Sequence, residues 1–419
     1  MVWENKLHLS CAWIVTMWAV APLTAQDPGM YLMGLASGTS ANPASWPMPM
    51  VMTPLGNWNA MFMGVAFVAD IQQSGARGGD KLYSTNWIMA SAEHRAGTRG
   101  AFGAELMLSL EPATVADRRY PLLFQTGETA YGLPLTDAQH PHNFIMALGF
   151  HYAHRLSEDT ILDAYAAPVG DPALGPTAFP HRASAAELPE APISHHWQDS
   201  THIADDVVTL GVSHKTIRLE ASGFHGAEPG ENRWTVQAGR IDSWSARLWL
   251  FPAENWAAQI SAGRIAHPEA LQPGDQERIT ASLHYTRALP SGAWSSSLVW
   301  GRNHSAATSR NLNSYLAESV LPVRRKNWLT GRFELVDKDE LFSSRPDIEQ
   351  RVDVLYGSTF RIGAYTAGYT RDINLFRHIL TGVGANFTAY SLPDSIKPYY
   401  GNHPVGGNIF VRFRLRAAP

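Results

Sequence analysis

Of 419 residues only Cys11 is a cysteine, and it lies in an apolar N-terminal run that reads as a removable leader. The mature chain then has no thiol, which excludes disulfide frameworks, zinc-thiolate sites and cysteine nucleophiles. Long apolar runs are missing too: beyond residue 26 none approaches the ~20 residues a membrane helix needs. Nor is there an excess of one charge. The formal net charge is −4, with no basic cluster interleaved with aromatics, so nucleic acid is not an expected partner. No nucleophile elbow occurs, no repeat of fixed period, and no phosphate-cradling loop. The close pair Gly97 and Gly100 falls in a turn with no helical pattern after it.

What is present begins with a secretory pattern. Lys6 supplies the positive start, Cys11 to Pro22 a short apolar core, and Leu23-Thr24-Ala25 a small-residue end suited to cleavage. Residues 1–25 are therefore expected to be a signal peptide. Residues 26–56 are rich in Gly, Ser, Pro and Ala and read as an irregular segment that hangs in the periplasm or plugs a lumen.

From residue 57 to 416 the grammar is alternation with period two, the mark of strands with one polar and one apolar face. Ile409, Val411, Phe413 and Leu415 oppose Arg412, Arg414 and Arg416; Leu329, Phe333 and Leu335 oppose Arg332 and Glu334. Ile279, Leu283 and Tyr285 oppose Arg278 and His284; Trp244, Leu248 and Leu250 oppose Arg247; Ile217 and Leu219 oppose Arg218 and Glu220. Short turns are expected at 94–100, 156–159, 213–216, 252–255, 289–292, 322–327 and 372–377. Longer polar stretches occupy 112–142, 169–204, 226–242 and 337–353. Turns on one side and long extracellular loops on the other predict an all-β fold. It is a transmembrane antiparallel up-and-down barrel of roughly sixteen strands, its termini on the same side. The mean hydropathy of −0.17 fits such a wall as well as it fits a soluble protein. Trp58, Trp87, Trp244, Trp256, Trp294, Trp300 and Trp328 fall where rings suit the two membrane-water interfaces. The competing reading makes them core anchors of a soluble sandwich.

The final segment, 406–415 (GGNIFVRFRL), resembles the terminal targeting strand of Gram-negative outer-membrane barrels, although four residues follow it. Further segments are similar to a family of outer-membrane barrels with no assigned activity: 120–132 (YPLLFQTGETAYG), His140-Pro141-His142, 167–176 (APVGDPALGP) and 200–206 (STHIADD). The resemblance spans nearly the whole mature chain. It implies an outer-membrane location, lipid as surroundings, and an assembly machinery that reads the C-terminal strand. It supplies no mechanism.

Three constellations bear chemistry. His140, His142, His195, His196, Asp199 and His202 lie in two long loops and offer imidazole and carboxylate, a set suited to zinc, nickel or copper. Ordinary loop histidines bonded to backbone or water are the plainer reading. Met48, Met50 and Met52 alternate ahead of the first strand, either as soft ligands for Cu(I) or as gap-filling apolar residues. Glu105, Arg218, Glu220, Arg247, Arg278, Arg332, Glu334, Arg412 and Arg414 fall on the lumen face. There they line a pore or pair across the interior and brace it. Ser200 and His202, with Asp199 or Asp205, are the nearest candidates for an interfacial lipid hydrolase. The expected function is a channel for small solutes or ions, with no enzyme activity and no resident cofactor. A metal-binding role (copper or zinc) is the first alternative and lipid hydrolysis the second.

Overall fold

The computed structural model describes residues 27–270, 274–342, 355, 357–373 and 375–416. The expected signal peptide and residues 343–353 of the last polar stretch lie outside them. Strand β1 (Val51–Leu55) folds back on the start of β2 (Trp58–Gln73), followed by β3 (Gly79–Ala96) and β4 (Gly100–Leu108). Next come a separate hairpin, β5 (Tyr120–Ala130) and β6 (Leu133–Gln139), then β7 (Ile145–Ser157), β8 (Thr160–Gly170), β9 (Ala204–His214) and β10 (Ile217–His225). The remaining strands are β11 (Ser243–Ala253), β12 (Trp256–Ile265), β13 (Gln276–Leu289), β14 (Gly292–Ser305) and β15 (Arg310–Val323). They continue with β16 (Asn327–Lys338), β17 (Phe360–Asp372), β18 (Ile379–Ser391) and β19 (Val405–Leu415). All but β1, β5 and β6 form one closed antiparallel barrel of sixteen strands, sealed where β19 pairs with β2 and Ile409 faces Asp70.

Closure leaves no backbone group unpaired at an edge, the condition for a sheet to cross hydrocarbon. The alternation read from sequence falls on the two sides of the wall. Leu219, Leu248, Leu283 and Ile409 are exposed outside, while Arg218, Arg247, Arg278 and Arg412 are buried inside. A soluble sandwich would cover that greasy exterior, and here no described residue covers it. The wall is transmembrane. One rim carries only short turns, and the long connections leave from the other, together with the short links 74–78 and 306–309. Trp256, Tyr285 and Trp294 lie side by side along the short-turn rim, the first pair tilted at 4.6 Å and the second edge-to-face at 5.3 Å between ring centres, as in an interfacial girdle. Trp87 is a correction to the expected girdle: it faces the lumen and lies 4.4 Å from the His181 ring.

The interior is filled by three segments. The first, residues 27–50, begins with helix α1 (Pro28–Met33), started by Asp27, whose Oδ1 accepts from the Gly29 and Met30 amides, and by Pro28 in the first turn. Tyr31 Oη donates to Asp163 Oδ1 on the inner face of β8 at 2.7 Å. So the stretch read as irregular contains a helix as well as β1. The second, between β4 and β7, holds helix α2 (Glu111–Thr114) and the β5–β6 hairpin. There Tyr120 stacks on Tyr83 at 4.4 Å, and Phe124 lies against Tyr400 at 4.3 Å and Tyr390 at 5.1 Å. The third, residues 171–203 between β8 and β9, carries helix α3 (His195–Gln198) and is buried almost throughout. The stretch 169–204 is therefore packed interior and not a polar loop in water, whereas 112–142 is divided: most of 120–130 and 134–142 is packed inside, while most of 113–119 and the hairpin tip 131–133 are exposed. The sequence of the third segment already lacks the charge density of a solvated loop: 172–180 carries no charged side chain.

Candidate functional site

The inner wall meets the third segment through a dense polar latch. Arg182 of that segment donates from Nε to Glu318 on β15 at 2.6 Å and from Nη1 to Asp199 at 2.9 Å. Arg332 on β16 reaches Glu318 at 3.0 Å and the Glu190 carbonyl at 3.2 Å. Glu334 accepts from the Ser194 amide at 2.9 Å and hydroxyl at 2.8 Å. Arg412 is clamped between Glu187 and Asp372, and Arg414 Nη1 donates to Glu187 at 3.0 Å. Arg278 donates to the His196 carbonyl at 2.8 Å and to Ser200 Oγ at 3.0 Å.

On the other side of the lumen, Arg218 and Arg247 share Glu220 at 3.1 and 3.0 Å. They also hold Thr39 of the first segment, Arg218 at its carbonyl (2.8 Å) and Arg247 at its hydroxyl (3.0 Å). Glu105 accepts from Tyr165 Oη at 2.8 Å and lies 3.5 Å from His151 Nε2. All nine residues expected to line a pore thus sit on the inner wall. Most of them grip the infolded segments, and Glu105 pairs within the wall. Sequence reasoning missed their partners Glu187 and Glu190, and Arg182, which shares Glu318 with Arg332. The available signal was that these charges stand in a stretch otherwise made of Ala, Pro, Leu and Ser.

Above the latch the structure brings the candidate metal ligands together. The rings of His195 and His196 are 5.1 Å apart, His195 and His202 5.2 Å, His142 and His202 5.4 Å, and His140 and His196 5.7 Å. Several are oriented by a partner on one nitrogen. His195 Nδ1 meets Asp199 Oδ1 at 2.7 Å, His202 Nδ1 the Asp199 carbonyl at 2.7 Å, and His142 Nδ1 Glu111 Oε1 at 2.9 Å. His140 Nε2 lies 3.0 Å from Glu128. Such outer partners set tautomer and direction. Burial pushes the imidazoles of His140, His196 and His202 well down, and neighbouring histidines add to it, so they are neutral at neutral pH. Burial opposes the charge on Asp199, but His195 and Arg182 outweigh it and hold the carboxyl below its ordinary range.

Among the described residues, the group whose ligand atoms all lie within 4.8 Å of one another is His196, Glu228 and Glu269. Neither glutamate was expected from sequence. They come from the β10–β11 and β12–β13 connections and meet His196 Nδ1 at 3.7 and 3.8 Å. Neither His196 ring nitrogen has a hydrogen-bond partner among the described residues. Burial raises the pKa of both carboxyls, and for Glu269 the neighbouring Glu228 adds to it. Gly127 makes the close approach feasible: with φ 114°, its hydrogen faces the His196 ring, where a Cβ would lie 2.5 Å from Cε1.

The hydrolase reading is corrected here. Ser200 Oγ is engaged by Arg278, while His202 spends its Nδ1 on a carbonyl. Both belong to the third infolded segment, so this serine-imidazole pair is not presented to lipid.

No known protein family matches the sequence, and no curated protein does. Solved structures do match in fold. An anion-selective porin from Comamonas acidovorans aligns with a TM-score of 0.53 at 11% identity, over 85% of this chain and 100% of that one. OmpF of Salmonella typhi, in complex with daunomycin, aligns at 0.54 and 8% identity, over 87% and 100%. The outer membrane channel DcaP of Acinetobacter baumannii aligns at 0.50 and 7%, over 87% and 99%. The architecture is that of Gram-negative outer-membrane barrels, and the likeness is one of fold.

Proposed function

We propose that this protein is a gated outer-membrane conduit for small solutes or ions, shut by its own infolded segments. The observation that supports it most is the chemistry of the latch. From Arg182 to Ser200 the third segment is held to the wall mainly by hydrogen bonds and ion pairs, so this face and the inner wall remain hydrophilic once parted and water can follow. Wall strands of such a barrel keep their ladder when the interior moves, since their hydrogen bonds run strand to strand. The porin-like fold supports the same reading. Its setting is lipid, with the C-terminal strand offered to an assembly machinery and membership in the family its segments resemble.

Planar-bilayer recording tests the proposal. The full chain is expected to show a closed baseline with brief openings, and a variant lacking residues 174–199 steady porin-like conductance. A deletion variant that retains the heat-resistant mobility of a folded barrel yet passes no current overturns it.

A second reading has its own observation. His196, whose two ring nitrogens have no hydrogen-bond partner among the described residues, fits with Glu228 and Glu269 a borderline divalent metal such as zinc. Titration of the purified barrel with Zn(II) is expected to show uptake that His196→Ala abolishes. Unchanged affinity removes the reading.

A further inference from the structure

Methionine is distributed unevenly. Of twelve methionines, Met1 and Met17 precede the described residues, the rest fall between Met30 and Met146, and none follows. The fold gathers them. In the strand register Met63 lies opposite Met89, and Met89 opposite Met107, so three thioethers form a row across β2, β3 and β4 on the lumen side. Met33 from α1, Met61 and Met146 are buried in the same cluster, with Met48 and Met50 packed against it.

The row ends on an imidazole. His181 Nε2, on the third infolded segment, lies 3.0 Å from Met107 Sδ. Beside them a cavity of about 40 Å³ is lined by Met48, Met63, Trp87 and His181, together with Arg182 and Arg414. That is room for one ion or one water. The two guanidiniums are already committed, Arg182 to Glu318 and Asp199, and Arg414 to Glu187. Glu105, two residues before Met107 on the same face of β4, acts on His181 with the opposite sign. Burial pushes the His181 imidazole down to about 4, so it is neutral and able to act as a ligand.

We propose that the Met63–Met89–Met107 row and His181 form a binding site for a soft monovalent metal ion, Cu(I) or Ag(I). Thioether sulfur and neutral imidazole select such ions, because a hard cation would lose its water and gain nothing comparable. Access is provided from the short-turn rim. There a larger cavity of about 340 Å³ is lined by Met30, Met33, Met48, Met50 and Met52. Met48 borders both this vestibule and the inner cavity, so thioethers line the way in. The site goes beyond the conduit reading and does not depend on it, since an ion can be held in a barrel that conducts nothing.

The competing account is that methionine merely fills gaps. Leucine substitutions separate the two, because they conserve volume and remove the sulfur. The full-length mature barrel in detergent is titrated with Ag(I) by calorimetry, and the bound silver is examined by X-ray absorption. The wild type is expected to take up Ag(I) with sulfur and nitrogen in the first shell. Met63→Leu/Met89→Leu/Met107→Leu and, separately, His181→Phe are expected to weaken binding on the order of a hundredfold. His403→Ala, which removes an exposed imidazole in the β18–β19 connection, is expected to leave it unchanged. A folded triple variant that binds Ag(I) like the wild type overturns the proposal, as does a wild type that takes up none. Should the triple variant fail to fold, the single variant Met107→Leu, which removes the sulfur 3.0 Å from His181 Nε2, is read against the wild type in the same way.

Discussion

Replacing Arg182 by methionine tests the latch most directly. This guanidinium is 1% exposed and bridges two carboxylates, Glu318 of the wall and Asp199 of its own segment. Removing one member of a buried ion pair costs about 3–5 kcal/mol, because the partner is left charged and dry. Here Glu318 keeps Arg332 and Asp199 keeps His195, which places the loss near the lower end, about 3 kcal/mol. The wall ladder does not contain Arg182, so the loss falls on the seated state of the third segment. A change of that size shifts the seated-to-released equilibrium on the order of a hundredfold. Single-channel recording in planar bilayers reads it as a comparable rise in open probability. Arg264→Met, which removes a rim pair with Asp275 that is partly exposed, serves as control and changes the equilibrium by less than ~1 kcal/mol. A folded Arg182→Met barrel with the open probability of the wild type would refute the reasoning.

Other perturbations follow from the same geometry. Glu187 is buried, which opposes its charge, but Arg412 and Arg414 more than compensate and hold its carboxyl below the usual range. Its stabilisation of the seated segment is therefore full above the ordinary glutamate value and declines as pH falls through the lowered one. Openings should increase with acidification in the wild type, and Glu187→Gln should flatten that part of the profile; an identical profile speaks against the assignment. Leu248→Arg places a charge mid-strand on the lipid face. It should cost about 2–4 kcal/mol in reversible unfolding from bilayers, and a loss below ~1 kcal/mol would contradict the outward assignment of that face. Gly127→Ala drives a Cβ into the His196 ring and should weaken Zn(II) uptake without altering the barrel's heat-resistant mobility. Retained uptake would mean that the hairpin does not position the histidine.

The wall was readable because its chemistry is local. A period-two pattern such as Leu248 against Arg247 reports which side each residue faces, and the short turns fell between the strands found. The interior was harder to read because it depends on what enters the lumen. Arg412 and Arg414 could be placed on the inner face, but nothing near them in sequence announces Glu187, more than two hundred residues away. The histidines were singled out by residue type, whereas Glu228 and Glu269 join them only because two other connections fold over the same spot. The thioether row was invisible for a related reason. Met63, Met89 and Met107 look scattered until the register sets them side by side. What sequence alone could have offered was the scarcity of charge in 167–180, too apolar for a stretch exposed to water.

The seam between β2 and β19 has a consequence for biogenesis. It joins the first and last strands of the wall, so the cylinder stays an open, curling ribbon until the final segment of chain has arrived. Thr177 donates to the Ala41 carbonyl, and Asn42 to the His181 carbonyl, deep between the future walls. These contacts tie the first and third segments to each other, while other bonds tie both to the wall. The ribbon can therefore curl around pieces that already hold together, and the last strand to arrive closes the wall over them.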